Sequence, residues 1–294
     1  MKPNVYFINE ISKEALMEVY KALDKNLEGN IAVKVHSGEK GNQNFLHPEF
    51  MKEIIEYVNG TVVECNTAYA GERNETAKHK ALMEEHGWSK YFNVDILDEK
   101  EDLVLTIENG VAIDKNFVGK NIEKYDSMLV ISHFKGHPMG GYGGAIKQLS
   151  IGCASTAGKC YIHSAGKVTD QNILWSNTAP QNKFLEAMAD SAKSVVEYLQ
   201  GKILYINIMC NMSVDCDCCS VAEDPCMKDI GILASTDPVA IDQACIDLVN
   251  ASTDEGKEHF LERVNSRNGV YTIEVAEKIG LGCRDYNLIN ISKK

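Results

Sequence analysis

No stretch of this 294-residue chain is apolar for long enough to suggest a membrane span. The opening Met1-Lys2-Pro3-Asn4 leads into a short strand-like run and lacks the apolar core of an export signal. Positive charge is in deficit, with 30 Lys and Arg against 42 Asp and Glu, and the net charge of −12 argues against a nucleic-acid partner. No Pro- or Ser-rich linker, internal repeat or low-complexity tract divides the chain. The two common nucleotide signatures are missing as well. No glycine-rich loop ends in Gly-Lys-Ser/Thr and none reads Gly-x-Gly-x-x-Gly at the start of a helix, which disfavours ATP and NAD. What remains is a cytoplasmic protein of ordinary globular composition, 44% hydrophobic and 24% charged, able to bury a sizeable core.

Cysteine is plentiful. Ten cysteines in a chain without an export signal read as reduced thiols, metal ligands or reactive groups rather than disulfides. Cys65, Cys160, Cys245 and Cys283 stand among apolar or ordinary residues and read as small buried hydrophobes. Cys210, Cys216, Cys218, Cys219 and Cys226 crowd into one segment.

Strand-like runs at 5–8, 31–35 and 61–65 alternate with helical patterns at 13–27 and 49–58, the rhythm of βαβ units. Residues 74–86 read as a helix ending at Gly87, and 126–132 as a buried strand followed by a polar loop. Helical spacing returns at 180–199, a strand at 202–209, and a helix at 237–249 opened by Asp237-Pro238, where proline suits the first turn. Two more helices, near 257–264 and 271–279, close the chain. The expected fold is α/β, a largely parallel sheet flanked by helices. It is read as one unit over 1–294, with a bilobal arrangement meeting near 133–160 and 202–230 as the alternative.

Two constellations carry chemistry. The first follows the 126–132 strand: His133, Lys135, Gly136, His137, Gly140, Gly141, Gly143, Gly144 and Lys147. Glycines let backbone approach a ligand, and imidazoles and ammonium groups supply acid, base or anion contacts at the strand end where α/β sheets bind ligands. A flexible loop with surface histidines is the plainer alternative. The second is Cys216-Asp217-Cys218-Cys219 with Cys210 and Cys226. Clustered thiolates suit iron–sulfur clusters, zinc or other soft transition metals, although the spacing fits neither the ferredoxin run nor paired Cys-x-x-Cys ribbons. Cys216 and Cys218 share one face of an extended segment, while adjacent Cys219 points away. Acidic Asp215 and Asp217 do not resemble core packing, and they would raise the thiol pKa values unless a cation compensates.

Segment 31–42, Ser132-His133-Phe134-Lys135-Gly136-His137, Gly143-Gly144-Ala145-Ile146-Lys147, Gly152-Cys153-Ala154-Ser155, Cys216-Asp217-Cys218 and segment 229–242 together resemble the domain of unknown function 362 family over nearly the whole chain. The resemblance implies a prokaryotic protein, often from anaerobes, associated with iron–sulfur chemistry or ferredoxin and with no settled reaction. Carried onto this sequence, it makes Lys34, His36, His133, Lys135, His137, Lys147, Cys153, His163, Cys216, Cys218 and Asp237 candidates for one cleft. On this basis His133, His137, Lys147 and His163 are the candidate catalytic residues. Lys34, His36, Lys135, Gly143 and Gly144 are the candidate substrate contacts, and Cys153, Cys216, Cys218, Cys219 and Cys226 the candidate metal ligands. Cys219 and Cys226 are additions to the family pattern. More remotely, His137 through Gly143-Gly144 to Lys147 is similar to a segment of lactate racemase, a nickel-pincer enzyme, which suggests an anionic organic ligand.

The expected function is a metal- or iron–sulfur-binding enzyme, a lyase, reductase or isomerase, acting on a small anionic molecule. A non-catalytic electron carrier docking on a redox protein such as ferredoxin, and a structural zinc protein, are the alternatives. A cleft joining the 133–147 loop to the cysteine loop speaks for the enzyme. A cluster at a flat surface speaks for the carrier, and a closed four-thiolate site far from His137 for structural zinc.

Overall fold

The apolar runs of the sequence become the central strands of a mostly parallel sheet in a computed structural model that describes residues 2–293. In chain order the strands are β1 Asn4–Ile8, β2 Ile31–Lys34, β3 Thr61–Glu64, β4 Val94–Ile96, β5 Asp102–Thr106, β6 Lys115–Gly119, β7 Ser127–His133, β8 Lys135–His137, β9 Gly141–Gly143, β10 Ile203–Met209, β11 Gly231–Ser235 and β12 Asn287–Asn290. Eight form one sheet in the order β12-β1-β11-β10-β7-β2-β3-β4, while β5 with β6 and β8 with β9 make two separate hairpins. The β10-β7-β2-β3-β4 portion is parallel throughout, and β11 runs against both its neighbours.

Every residue of β7 and β10 is buried, because helices cover both faces of the sheet. Alternate side chains serve opposite layers. Leu129 and Ile131 pack with helices Lys13–Ala22 and Pro48–Tyr57, while Met128 and Val130 pack with helices Ala145–Cys153, Gln181–Tyr198 and Pro238–Ala251. The expected α/β architecture is therefore present. No helix of the described residues is long and apolar enough to cross a membrane.

Boundaries follow local chemistry. The helix expected over 74–86 spans Thr76–Glu85 and stops before Gly87, whose φ of 86° is left-handed. Asp237 accepts N–H bonds from Val239 and Ala240 at 2.9 Å each, capping Pro238–Ala251, and its other oxygen takes the Cys283 N–H at 2.9 Å. Those bonds use the carboxylate structurally, so Asp237 belongs to a helix end and not to the cleft. Asp237→Ala should lower stability by about 1–2 kcal/mol, read as a shift of the urea midpoint. The polar loop expected after β7 is instead the β8–β9 hairpin followed at once by Ala145–Cys153.

Candidate metal centre and its cavity

The carboxyl ends of β2, β3, β7 and β10 share one edge of the sheet, since those strands run parallel. They deliver Lys34 and His36, Glu64, His133, and the cysteine loop beginning at Cys210. Lys34 is wholly buried, and its Nζ donates to Glu64 Oε2 at 2.6 Å and to the Val35 carbonyl at 2.5 Å. Arg73 lies between Glu39 at 3.2 Å and Glu64 at 3.7 Å. Burial works against a charge on Glu64, but Lys34 and Arg73, helped by His79, more than offset it and hold the carboxyl down at about 2.

That depression makes stability pH-dependent. An unfolded Glu64 takes up its proton near 4.5 and the folded one near 2, so its contribution is complete above about pH 4.5 and is lost as pH falls through 2. The difference corresponds to about 3 kcal/mol. Urea unfolding of wild type and Glu64→Gln should show wild type losing more stability than the variant between pH 5 and pH 3. Parallel losses would contradict this assignment.

A second ion-pair cluster orients the cysteine loop. Asp217 accepts from Lys135 Nζ at 2.5 Å and from His133 Nδ1 at 3.0 Å, while His133 Nε2 donates to the Cys210 carbonyl at 2.6 Å. Burial opposes a charge on Asp217, but His133 and Lys135 outweigh it and keep the carboxyl far below its usual range. Lys135 supplies the cation that the acidic loop requires. His133 has both ring nitrogens engaged, and Lys34 and Lys135 are committed to carboxylates, so these three candidates form the framework behind the site.

Gly136 fixes the distance between hairpin and loop. Its N–H donates to the Ser213 carbonyl at 2.8 Å, and an added Cβ would lie 2.3 Å from the Val214 oxygen. His137, next in the chain, is thereby brought to the thiols. One ligand atom from each of His137, Cys216 and Cys218 falls within 4.8 Å of the others, a group able to hold a metal ion. Burial pushes the Cys216 thiol up to about 11. Two donors face its sulfur, the Cys218 N–H at 3.4 Å and Lys147 Nζ at 3.9 Å. His137 Nδ1 accepts the Met139 and Gly140 N–H groups at 3.1 and 2.8 Å, which leaves the neutral ring's proton on Nε2, the nitrogen 4.0 Å from Cys218 Sγ. His137 as placed is a donor toward the thiols, and it would join a metal only by giving up that proton.

Cys153, Cys219 and Cys226 are not members of this group. Cys153 ends helix Ala145–Cys153 inside the apolar core, its sulfur 3.7 Å from the Gln148 carbonyl. Cys226 donates to the Met212 carbonyl at 3.2 Å. Cys153, expected as a further ligand, thus stands outside the group of three, its thiol turned into the packing. Gly143 and Gly144 are buried where the helix begins. A Cβ on Gly144 would lie 2.4 Å from Asp242, whose carboxylate accepts the Ala145 and Ile146 N–H groups at 2.7 and 3.0 Å.

Against Cys218 opens a cavity of about 250 Å³ that His36, His137, Lys147, Lys159 and His163 also help to line. Burial, with Arg73 and nearby lysines, drives His36 well below the ordinary histidine range. His137 and His163 fall to about 4, mainly through burial with Lys147 adding. His163 Nδ1 donates to the Lys159 carbonyl at 2.7 Å, so its Nε2 remains an acceptor. Among the described residues neither Lys147 nor Lys159 pairs with a carboxylate: Lys159 Nζ donates to the Ala154 carbonyl at 2.5 Å, and Lys147 meets only Cys216. Glu64, Arg73, Lys159 and Trp175 were not singled out in the sequence. Nothing in the residues around them marks a site, and the Glu64–Arg73 pairing is made only by the fold.

A family profile described as Domain of unknown function (DUF362) matches residues 31–247. Eight chains of known structure also match. The lactate racemase apoprotein from Thermoanaerobacterium thermosaccharolyticum is 13% identical with a TM-score of 0.47, over 85% of this chain and 58% of that one. A Thermotoga maritima protein is 10% identical with a TM-score of 0.42, over 90% of this chain and 58% of that one. This chain thus spans less than two thirds of either. No curated protein matches the sequence.

Proposed function

We propose that this chain, which belongs to the DUF362 family, is an enzyme that binds a transition metal at Cys216 and Cys218 and a small organic anion in the adjoining cavity. The observation carrying this reading is the contact of two features: a thiol pair able to hold a metal, and a cavity whose two ammonium groups, Lys147 and Lys159, have no carboxylate partner. Thiolate donors fit iron first, with zinc the redox-inert alternative. Common iron–sulfur clusters take four protein thiolates. The group supplies two, so a mononuclear iron ranks ahead of a cluster.

A metal held by two thiolates keeps open positions and would supply a Lewis acid or an electron to a ligand beside it. The chain's own residues prepare that encounter. Lys147 and the Cys218 N–H favour the thiolate form of Cys216. The two lysines draw an anion to the wall, while His137 offers an N–H hydrogen bond and His163 a lone pair that can accept one. A carrier docking on ferredoxin would need its metal at a flat surface, and structural zinc a closed thiolate shell. The cavity against Cys218 favours the enzyme over both.

The test is spectroscopic. Adding acetate, lactate or phenylpropionate to anaerobically isolated, metal-bearing protein should change the metal's absorption or paramagnetic spectrum. Lys147→Gln should weaken that response by about tenfold. A metal spectrum indifferent to every anion tried would favour the carrier.

A further inference from the structure

We infer that the cavity ligand is an organic carboxylate with an apolar, aryl-sized body, and not a phosphorylated compound. This deepens the reading above and rests on it. Three observations support it: which charged groups the lining contains, which anion-binding groups it lacks, and what the rest is made of.

The lining includes two ammonium groups, Lys147 and Lys159, a number suited to the two oxygens of one carboxylate. Phosphate sites in α/β proteins draw instead on free backbone N–H groups at helix N-termini and on arginine forks. At both helix starts beside this cavity, protein oxygens already take two of the first N–H groups. Asp242 takes the Ala145 and Ile146 N–H groups of the first helix. In the second, Thr156–His163, Asp98 accepts the Thr156 N–H at 3.1 Å and the Ser155 hydroxyl accepts the Gly158 N–H at 3.2 Å. Arg73, the only arginine in the lining, is engaged by Glu39 and Glu64. A phosphoryl group would find those four N–H groups taken and no free guanidinium.

Most of the lining surface is apolar, contributed by Ala68, Pro138, Met139, Ile151, Leu174 and Trp175. Helix Gln171–Leu174 is anchored by Leu174, which is fully buried against Ala68 and Cys160, yet Ile173 and Trp175 on either side remain 47% and 54% exposed. Trp175 meets His163 edge-on with ring centroids 6.3 Å apart. A large aromatic left half in solvent at the border of an apolar cavity is surface that a ligand would cover. Cavities of about 150 Å³ take up benzene, so about 250 Å³ holds a ring and a short acid-bearing side chain.

The experiment is calorimetric titration of the protein, isolated anaerobically with its metal content measured, against 3-phenylpropionate, acetate, inorganic phosphate and 3-phenylpropanamide. The expected result is 3-phenylpropionate binding at least about tenfold more tightly than acetate, phosphate or the amide, since burying a ring and pairing the charge each contribute that much. Trp175→Ala, a change at an exposed position that the fold tolerates, should weaken it by about tenfold, and Lys159→Gln should do so while leaving the amide unaffected. Phosphate binding as tightly as phenylpropionate would overturn the inference, as would equal binding of the amide. Full metal content with no carboxylate binding overturns the ligand class and leaves the metal centre standing. Carboxylate binding by protein without metal upholds the ligand class and removes the metal reading.

Discussion

Replacing Cys216 and Cys218 together by serine should empty the protein of its metal. Both thiols belong to the one group of ligand atoms lying within 4.8 Å of one another among the described residues, and serine offers neither the charge nor the softness of a thiolate. Losing even an outer partner of a metal ligand costs about 10–100-fold in affinity, so losing two ligands should exceed 100-fold, and metal per chain should fall to background. Cys226→Ser is the matched control. Its sulfur is committed to the Met212 carbonyl, and its metal content should equal that of wild type. A double variant that retains its metal, or a Cys226 variant that loses it, would contradict the assignment.

Asp242→Ala should be the most damaging single change outside the thiols. The carboxylate, fully buried, accepts from Ala145 N, Ile146 N, Asn207 Nδ2 at 2.8 Å and Tyr142 Oη at 3.2 Å. Burial pushes its pKa up to about 6, and those donors pull against the rise. Alanine leaves all four without an acceptor in the core. At about 1–3 kcal/mol for each stranded donor, and with incomplete additivity, the loss should be about 4 kcal/mol. Because two of the donors start the helix that carries Lys147, anion binding should weaken along with stability. Asp242→Asn, which keeps one oxygen, should fall between. Urea midpoints of the three proteins check the order, and an alanine variant as stable as wild type would contradict it.

The sheet was legible because β7 and β10 are mostly apolar runs, the pattern of strands covered on both faces. β5 and β6 were not legible, since only partial alternation marks a half-exposed hairpin, and β11 was hidden behind the cysteine loop. At the site, residue type announced His137, Lys147, Cys216 and Cys218, and the fold gathers them. Residue type could not separate Asp237 from Asp242, five positions apart, one capping its own helix and the other capping a helix about a hundred residues earlier. It could not separate Cys153 from Cys216 either, because a thiol's use depends on the direction of its helix. Glu64 ends an ordinary strand in sequence, and only the neighbouring β2 and the packed Arg73 make it the anchor of a buried ion-pair network.

The central claim is that two thiolates, from Cys216 and Cys218, hold a metal beside the cavity. X-ray absorption at the iron edge of anaerobically isolated protein tests it most directly. The account predicts a first shell with two sulfur atoms at about 2.3 Å, the usual thiolate distance, completed by lighter atoms, with the sulfur scattering lost in the Cys216→Ser/Cys218→Ser variant. A shell of nitrogen and oxygen alone, or protein isolated under those conditions without metal, would contradict it.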